Sequence, residues 1–388
     1  MNDLYDVIVA GAGPAGSLAA RAAARSGSRV LLLEKDREIG VPVRCAEGVG
    51  AKGLSTVVEI DPRWIDQEIT GVVFHSPSGL EVKVESAEIG YVLNRKRFDA
   101  DLAHYAAKAG ADIWTRAYVS GLHETEGVRE LRVLHLGRER LLRTRVVIGA
   151  DGIESRIGRW AGLETHLAMK DVETCAQVTA SGIDIDPAYC HFYFSSETAP
   201  GGYLWIFPKG GGIANVGLGI SGDRAQARPP MDYLREFMKT RLPGAAVLTT
   251  VAGGVPCAPP MKNLVSDGVM LAGDAAHQSN PISGGGIVNA MIAGEIAGEV
   301  AAAAAAKGDV SAKNLSAYPR RWQHSEGGKQ RMFYRIKEFI YKMTDQDLDR
   351  TAEMLLDMPL EKRTLLNIFK SAIIHKPSLL LDVVKVFT

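Results

Sequence analysis

The sequence predicts an α/β protein with a Rossmann-like domain, an antiparallel β-sheet domain and a helical C-terminal region. Three observations carry that prediction. Residues 6–34 read as strand, glycine-rich turn, helix and strand. Residues 174–250 read as short alternating strands separated by glycine turns, with one helix near residues 232–241. Beyond Lys307 the pattern is helical, with breaks at Gly327, Pro359 and Pro377.

The first unit sets the frame. Asp6-Val-Ile-Val-Ala10 is β-branched and apolar between turn formers, as a buried strand requires. Gly11-Ala-Gly13-Pro-Ala-Gly16 follows, then the helix-forming run from Ser17 to Arg25, closed by Ser26-Gly27. Arg29-Val-Leu-Leu-Leu33 is a second apolar run, ending in Glu34. In such a G-x-G-x-x-G turn the first glycine makes the tight turn and the second lets backbone approach a pyrophosphate. The third lets the helix pack closely on the strand. Phosphates then meet the unpaired N–H groups and positive dipole end of the helix. Glu34 is placed to bind a ribose diol, which favours a free 2′-hydroxyl and so FAD or NAD over NADP.

Bulk properties exclude several classes. With 388 residues and 46% apolar composition, the chain can bury two or three cores. Lys and Arg number 45 and Asp and Glu 45, a net charge of zero that argues against nucleic-acid binding through a basic field. Cys45, Cys175, Cys190 and Cys257 form no C-x-x-C pair, so neither a disulfide framework nor a metal site is implied. The N-terminus carries no secretory pattern. No uninterrupted apolar span of about 20 residues is apparent, so the expectation is a cytoplasmic protein.

Residues 36–54 are loop-like and contain Val41-Pro-Val-Arg44-Cys45-Ala46-Glu47-Gly48. Residues 69–84 alternate as strands around a turn at Ser76-Pro-Ser-Gly79, and Arg95-Lys-Arg97-Phe98-Asp99 leads into a helix over residues 100–108. Residues 131–136 and 141–148 flank a basic turn, as in a β-hairpin, and the second strand runs into Gly149-Ala-Asp151-Gly152. Gly268-Val-Met-Leu-Ala272 is again strand-like and precedes Gly273-Asp274-Ala-Ala-His277. Pro281-Ile-Ser-Gly284-Gly285-Gly286 then opens an alanine-rich, packed helix to about residue 306. The expected division is a discontinuous cofactor domain of residues 1–70, 90–170 and 253–306, a β-rich substrate domain of 71–89 and 171–252, and helices over 307–388.

The ordered set Gly11/Gly13/Gly16, Gly149-x-Asp151-Gly152 and Gly273-Asp274 with its glycine triplet resembles FAD-dependent oxidoreductases of the p-hydroxybenzoate hydroxylase type, over residues 1–300. The resemblance implies FAD rather than NAD. It places Asp274 on the ribitol or pyrophosphate side, Gly284 to Gly286 at the pyrimidine end of the isoalloxazine, and Arg95 at the phosphates. Negative charge on the reduced ring would be stabilised there by a helix N-terminus. The implied cofactor set is Gly11, Gly13, Ala15, Gly16, Glu34, Arg44, Cys45, Ala46, Arg95, Asp151, Gly273, Asp274, Gly284, Gly285, Gly286 and Ile287. Arg97 reads as a solvated charge. His277 reads as a packing or cofactor-loop residue.

Within that superfamily the chain is similar to the geranylgeranyl reductases, especially the archaeal lipid enzymes. Pro200-Gly-Gly-Tyr203-Leu-Trp205-Ile-Phe207-Pro208-Lys-Gly210 matches a P-x-x-Y-x-W-x-F-P-K-G pattern, and Arg44-Cys45-Ala-Glu47-Gly48-Val49 an R-C-x-E-G-V segment. By strand alternation Tyr203, Trp205 and Phe207 share one face, with Leu204 and Ile206 on the other. The implied substrate-binding residues are Tyr203, Trp205, Phe207 and Pro208, and the catalytic candidates Cys45 and Tyr203. Arg44 beside Cys45 would stabilise a thiolate or leave a thiol facing the flavin. Cys175, Cys190 and Cys257 read as structural.

The implied activity is saturation of C=C bonds in geranylgeranyl chains of archaeal membrane lipid precursors. An isolated trisubstituted alkene is not polarised, so hydride delivery must be matched by protonation of the neighbouring carbon. Cys45, Tyr203 and a bound water are the donors considered. Holding the reactants in near-attack geometry can supply about 7–11 kcal/mol. An isoprenoid lipid and an electron donor (NAD(P)H, ferredoxin or a reduced deazaflavin) are the expected partners. Alternatives are an FAD-dependent aromatic monooxygenase or halogenase and a non-catalytic flavin-bound lipid carrier; the W-x-W-x-I-P segment of halogenases is absent. Residues 333–341 and 365–387 carry apolar residues at helical spacing with interleaved lysines. They read as covering helices, or as a peripheral face at the inner side of the membrane.

Overall fold

A computed structural model of the chain describes residues 4–372; the break expected at Pro377 lies outside them. Among the described residues two eight-stranded sheets form. The first has parallel strands in the order Val269–Leu271, Arg138–Gly149, Leu4–Ala10, Val30–Leu33 and Asp112–Trp114. Val7, Ile8 and Val9 are fully enclosed, so this strand is apolar on both faces and shows no alternation. Val265–Ser266 adds an antiparallel edge. Arg138–Gly149 also extends into an antiparallel meander with Val128–His135 and Ala117–Thr125. The turn of that hairpin is Leu136-Gly137, since His135 pairs with Arg138. Both turn residues have positive φ, 50° and 78°, the twist that suits a two-residue hairpin loop. The basic residues expected in the turn lie in the strand after it.

Helix Ile287–Lys307 is long and apolar enough by length and composition to cross a bilayer, although Asn289, Glu295 and Glu299 interrupt its apolar run. Its small residues instead press it against helix Pro14–Arg25. A Cβ at Gly294 would lie 2.1 Å from the Ala15 carbonyl oxygen, and one at Gly298 would lie 2.2 Å from that of Ala19. Only glycine permits that approach, and the alanines beside it fill the seam.

The second sheet runs Ala246–Pro256, Val172–Ser181, Ile213–Ser221, Tyr203–Pro208, Tyr189–Tyr193, Ile65–His75, Glu81–Leu93, Gly48–Gly50. It is antiparallel apart from one parallel pair, Tyr189–Tyr193 with Ile65–His75. Residues 70 and 89 both fall inside strands of this sheet, and Gly48–Gly50 joins it too. The sheet therefore takes in more of the N-terminal third than residues 71–89. Helix Pro230–Arg241 covers one face, burying Leu204, Ile206 and Leu218 against Leu234 and Phe237. The helix expected from residue 100 begins earlier, at Arg95, because the Asn94 side chain caps its first turn.

The C-terminal helices pack on this frame. Gly328–Ile340 follows a distorted turn at Gln323–Gly327, where Ser325 leaves helical geometry. A Cβ at Gly327 would lie 2.5 Å from Trp322 Nε1, so the glycine admits the indole. Ile336 is fully buried beside Ile282, Phe339 and Phe369. Helix Asp345–Leu356, opened by a Thr344–Asp347 capping box, sets Ala352 and Leu355 on Val82 and Val84. Of the basic, apolar stretch 365–387, residues beyond 372 lie outside the described residues.

Candidate active site

Three strand ends meet in one crevice. Ala10 pairs with Gly149, and Gly149 with Leu271, so the chain leaves adjacent parallel strands at Gly11, Ala150 and Ala272. Ligands of open α/β sheets bind outside such carboxyl ends. Gly11 has φ 101°, and a Cβ there would lie 2.3 Å from the Ala150 carbonyl oxygen. One at Gly16 would lie 1.8 Å from the Gly11 oxygen, whereas Gly13 faces open space. Two glycines thus serve packing and the middle one leaves room for a ligand. Glu34 stands at the far end of the turn, accepting hydrogen bonds from the N–H groups of Ala12 and Asp36, both at 2.9 Å. Half-buried Asp151 accepts one from Ile157 N–H at 3.0 Å, while its buried Oδ1 has no protein partner. These groups line a cleft of about 230 Å³.

The crevice continues to the second glycine cluster. Gly273, φ 70°, lies over Ala15: a Cβ on it would be 2.9 Å from the Ala15 methyl. Gly286 caps helix Ile287–Lys307 without a side-chain hydrogen bond, and Gly284 takes φ 66° in the turn before it. Asp274 is beside that helix start, its Oδ1 3.4 Å from where a Gly286 Cβ would be. Burial pushes the Asp274 carboxyl up to about 6, opposed by the charge of Arg95. Arg95 holds Asp99 through two 2.7 Å bonds, and the pairing keeps it charged despite burial. Arg97 is exposed and donates to the Arg63 carbonyl. His277 takes φ 54° and is buried, with Nε2 unpartnered. The set fits FAD: an open phosphate turn, an acid for the ribose, an orphan buried acceptor at Asp151, and a free helix N-terminus for the ring. Bound there, FAD supplies two-electron hydride chemistry.

The Cys45 loop joins this crevice to the second sheet. Cys45 Sγ accepts the Glu47 N–H at 3.2 Å, and burial pushes the thiol up despite the opposing charge of Arg95. The cation acting on the sulfur is therefore Arg95 and not its neighbour Arg44, and the group is a thiol. Arg44 instead runs beside Gly253 of the sheet. Gln177 bridges the two parts, donating to the Cys45 carbonyl at 2.9 Å and accepting from Trp205 Nε1 at 3.1 Å. A Cβ at Gly217 would lie 2.5 Å from the Trp205 ring, so the indole crosses the sheet over that glycine.

Tyr203, Trp205 and Phe207 do share a face. Phe192 ties Tyr203 and Phe207 together at centroid distances of 5.5 and 5.3 Å, and Tyr203 meets Trp205 at 5.9 Å. The Tyr203 hydroxyl donates to the Ser283 carbonyl at 2.5 Å, which ties the aromatic face to the glycine triplet. Pro208 departs from its expected place. Alternation puts it on the face of Leu204 and Ile206, buried and paired with Ala214.

Four residues of this arrangement were not singled out from sequence. Glu47, with φ 73° and 4% exposed, accepts from the Arg95 N–H at 2.9 Å and Asn215 Nδ2 at 2.6 Å, and pairs with Lys209. Lys209 also meets Asp66 at 2.9 Å. Glu47 and Lys209 sit in the two matched segments, and their opposite charges were the available signal. Gln177 and Phe192 carry none, since their partners are set by strand register.

Comparison with known proteins agrees with this geometry. Residues 171–255 match the geranylgeranyl reductase catalytic domain, and residues 6–207 match the FAD dependent oxidoreductase family. The chain is 47% identical to a digeranylgeranylglycerophospholipid reductase of Methanosarcina acetivorans, over 98% of this chain and 96% of that protein. It is 46% identical to one of Methanocella arvoryzae, over 99% of both. Among solved structures, a geranylgeranyl bacteriochlorophyll reductase-like protein of Thermoplasma acidophilum superposes with TM-score 0.91 at 34% identity, over 99% of both chains. A flavin-dependent brominase shares the fold alone, with TM-score 0.70 at 21% identity, over 97% of this chain and 99% of that one. With an FAD crevice, an aromatic sheet face and relatives aligned from end to end, the chain belongs to the digeranylgeranylglycerophospholipid reductase family of FAD-dependent oxidoreductases.

Proposed function

We propose that this chain saturates the C=C bonds of geranylgeranyl chains in archaeal membrane lipid precursors, by hydride transfer from reduced FAD with protonation of the neighbouring carbon. One observation carries the reading: Gln177 and Tyr203 lock an aromatic sheet face onto the Cys45 loop and the glycine turn before helix Ile287–Lys307. An apolar, π-rich wall then faces the cofactor end of the crevice, as an isoprenoid needs. Cys45 and Tyr203 are the polar groups at that junction, and Trp205 and Phe207 give the wall its area. The reaction requires electrons from outside the chain, from NAD(P)H, ferredoxin or a reduced deazaflavin. The lipid must also reach the crevice from a membrane, so peripheral contact at its inner face belongs to the same reading.

The test is anaerobic. Dithionite-reduced protein is mixed with a geranylgeranyl ether lipid and the product weighed by mass spectrometry. Reduced flavin should reoxidise as lipid mass rises by two hydrogens per double bond. Flavin that stays reduced over unchanged, detergent-dispersed lipid would sink the reading, and substrate-stimulated oxygen consumption would then identify a monooxygenase.

A further inference from the structure

Glu173 has no part in the fold or site as described, yet it lies on the sheet face that carries the aromatic residues. Its strand, Val172–Ser181, places Glu173, Cys175 and Gln177 on that face by alternation, and Gln177 is the residue that touches Trp205 and the Cys45 carbonyl. The neighbouring strand offers Gly219, paired with both Cys175 and Tyr203. Glycine there leaves space for the acid, for a Cβ on Gly219 would lie 3.7 Å from Glu173 Oε2 and one on Gly202 would lie 3.1 Å from it.

The carboxyl is 6% exposed, and neither oxygen has a hydrogen-bond partner at good geometry; the Tyr341 hydroxyl approaches it as a weak donor. Its surroundings explain why. Cys175 faces it from its own strand, Tyr203 from the aromatic strand, Asp223 from the turn after Ser221 and Cys257 from the segment after Pro256. Lys337 and Tyr341 face it from the C-terminal helix. Lys337 Nζ is already committed, donating to the carbonyls of Lys170 and Cys257 at 2.8 Å each and standing 3.6 Å from Asp171. A buried carboxyl that only one weak donor approaches holds its proton to a higher pH than a solvated one. Burial pushes Glu173 up to about 7, with Lys337 and Tyr341 opposing.

The other acids of this face are poorer donors. Burial pushes the Cys45 thiol and the Tyr203 phenol up, and the Tyr203 proton is engaged with the Ser283 carbonyl. A donor works best when its acidity lies near the working pH.

Resting on the reductase reading, we propose that Glu173 holds and delivers the proton that the alkene takes up on the face bounded by Cys175, Tyr203 and Cys45. The alkene gains hydride, with its two electrons from the reduced cofactor, at one carbon. The Glu173 O–H bond breaks as a C–H bond forms at the other. The carboxylate left behind regains its proton from water.

Two readouts test this. In holoprotein with isotope-labelled glutamate, infrared titration should show one protonated carboxyl losing its carbonyl stretch near neutral pH, absent in Glu173→Gln. In anaerobic single turnover, Glu173→Gln should bind FAD and accept electrons from dithionite as the wild type does, yet reduce the lipid about 100-fold or more slowly. Glu173→Asp should recover part of that loss. If Glu173→Gln fails to fold, Tyr341→Phe replaces it: losing an opposing hydroxyl raises the Glu173 pKa, so the alkaline limb of the rate moves to higher pH. Wild-type turnover in Glu173→Gln, an unmoved limb in Tyr341→Phe, or a carboxyl ionised throughout the neutral range would each overturn the proposal. A wild type that leaves the lipid unreduced refutes the reductase reading, while the infrared titration still reports separately on Glu173.

Discussion

Glu47 shows how one side chain can set a site without touching a ligand. Its backbone takes a left-handed turn, its carboxylate collects Arg95 N–H, Asn215 and Lys209, and its N–H reaches Cys45 Sγ. Glu47→Gln leaves the amine of Lys209 with the Leu93 carbonyl and a single carboxylate, Asp66. It should cost about 3 kcal/mol, the low end for breaking a buried pair, and weaken FAD retention. A denaturant midpoint indistinguishable from wild type would contradict that ordering role. Cys45 is a half-buried thiol whose acidity its burial suppresses. Site-resolved labelling with iodoacetamide at pH 8 should therefore be slower at Cys45 than for a free cysteine, and rapid labelling at neutral pH would reveal a thiolate instead. Both behaviours follow from where the loop is folded, since Arg44-Cys45 in isolation suggests an activated sulfur.

At the scale of elements, the seam between helices Pro14–Arg25 and Ile287–Lys307 aims both helix starts at the crevice. Gly298→Ala would drive a methyl to within 2.2 Å of the Ala19 oxygen. Moving one helix off the other should cost about 1–3 kcal/mol and loosen the cofactor together with the fold. Gly13 separates these effects. Nothing lies within 4 Å of a Cβ there and its φ is −72°, so Gly13→Ala should keep the thermal midpoint of the apoprotein while FAD affinity falls. An apoprotein destabilised as much as Gly298→Ala would show that Gly13 serves packing. The glycine pattern was legible in the sequence because each glycine answers a local backbone need. Which glycine faces protein and which faces ligand was legible only as a motif's general rule, and here the neighbouring atoms assign it. The Leu136-Gly137 turn was less legible, because arginines on the following strand resemble a loop when register is unknown.

For the molecule as a whole, buried acids tie stability to pH in an uncommon direction. Glu173 carries a pKa of about 7 in the fold, above its ordinary 4.5. Between those values the folded chain keeps a proton that the unfolded chain has released, so this group's contribution to stability falls as pH rises across that window. Melting temperature should therefore decline from pH 5 to pH 7 more steeply in the wild type than in Glu173→Gln, and equal slopes would argue against a protonated Glu173. The amino-acid order alone determined the alternation of strand, glycine turn and helix, the Rossmann-like crevice with Glu34 at its end, and the shared face of Tyr203, Trp205 and Phe207. Those features depend on neighbours a few residues apart, so periodicity and turn chemistry reveal them. Only the tertiary structure decided that Arg95 and not Arg44 acts on Cys45, that Pro208 turns to the covered face, and that Glu47 meets Lys209. Glu173 is buried beside Gly202 and Gly219 on the same terms. Such contacts join strands and loops far apart in the chain, and the burial that raises the Cys45 and Glu173 pKa values exists only once those strands have paired.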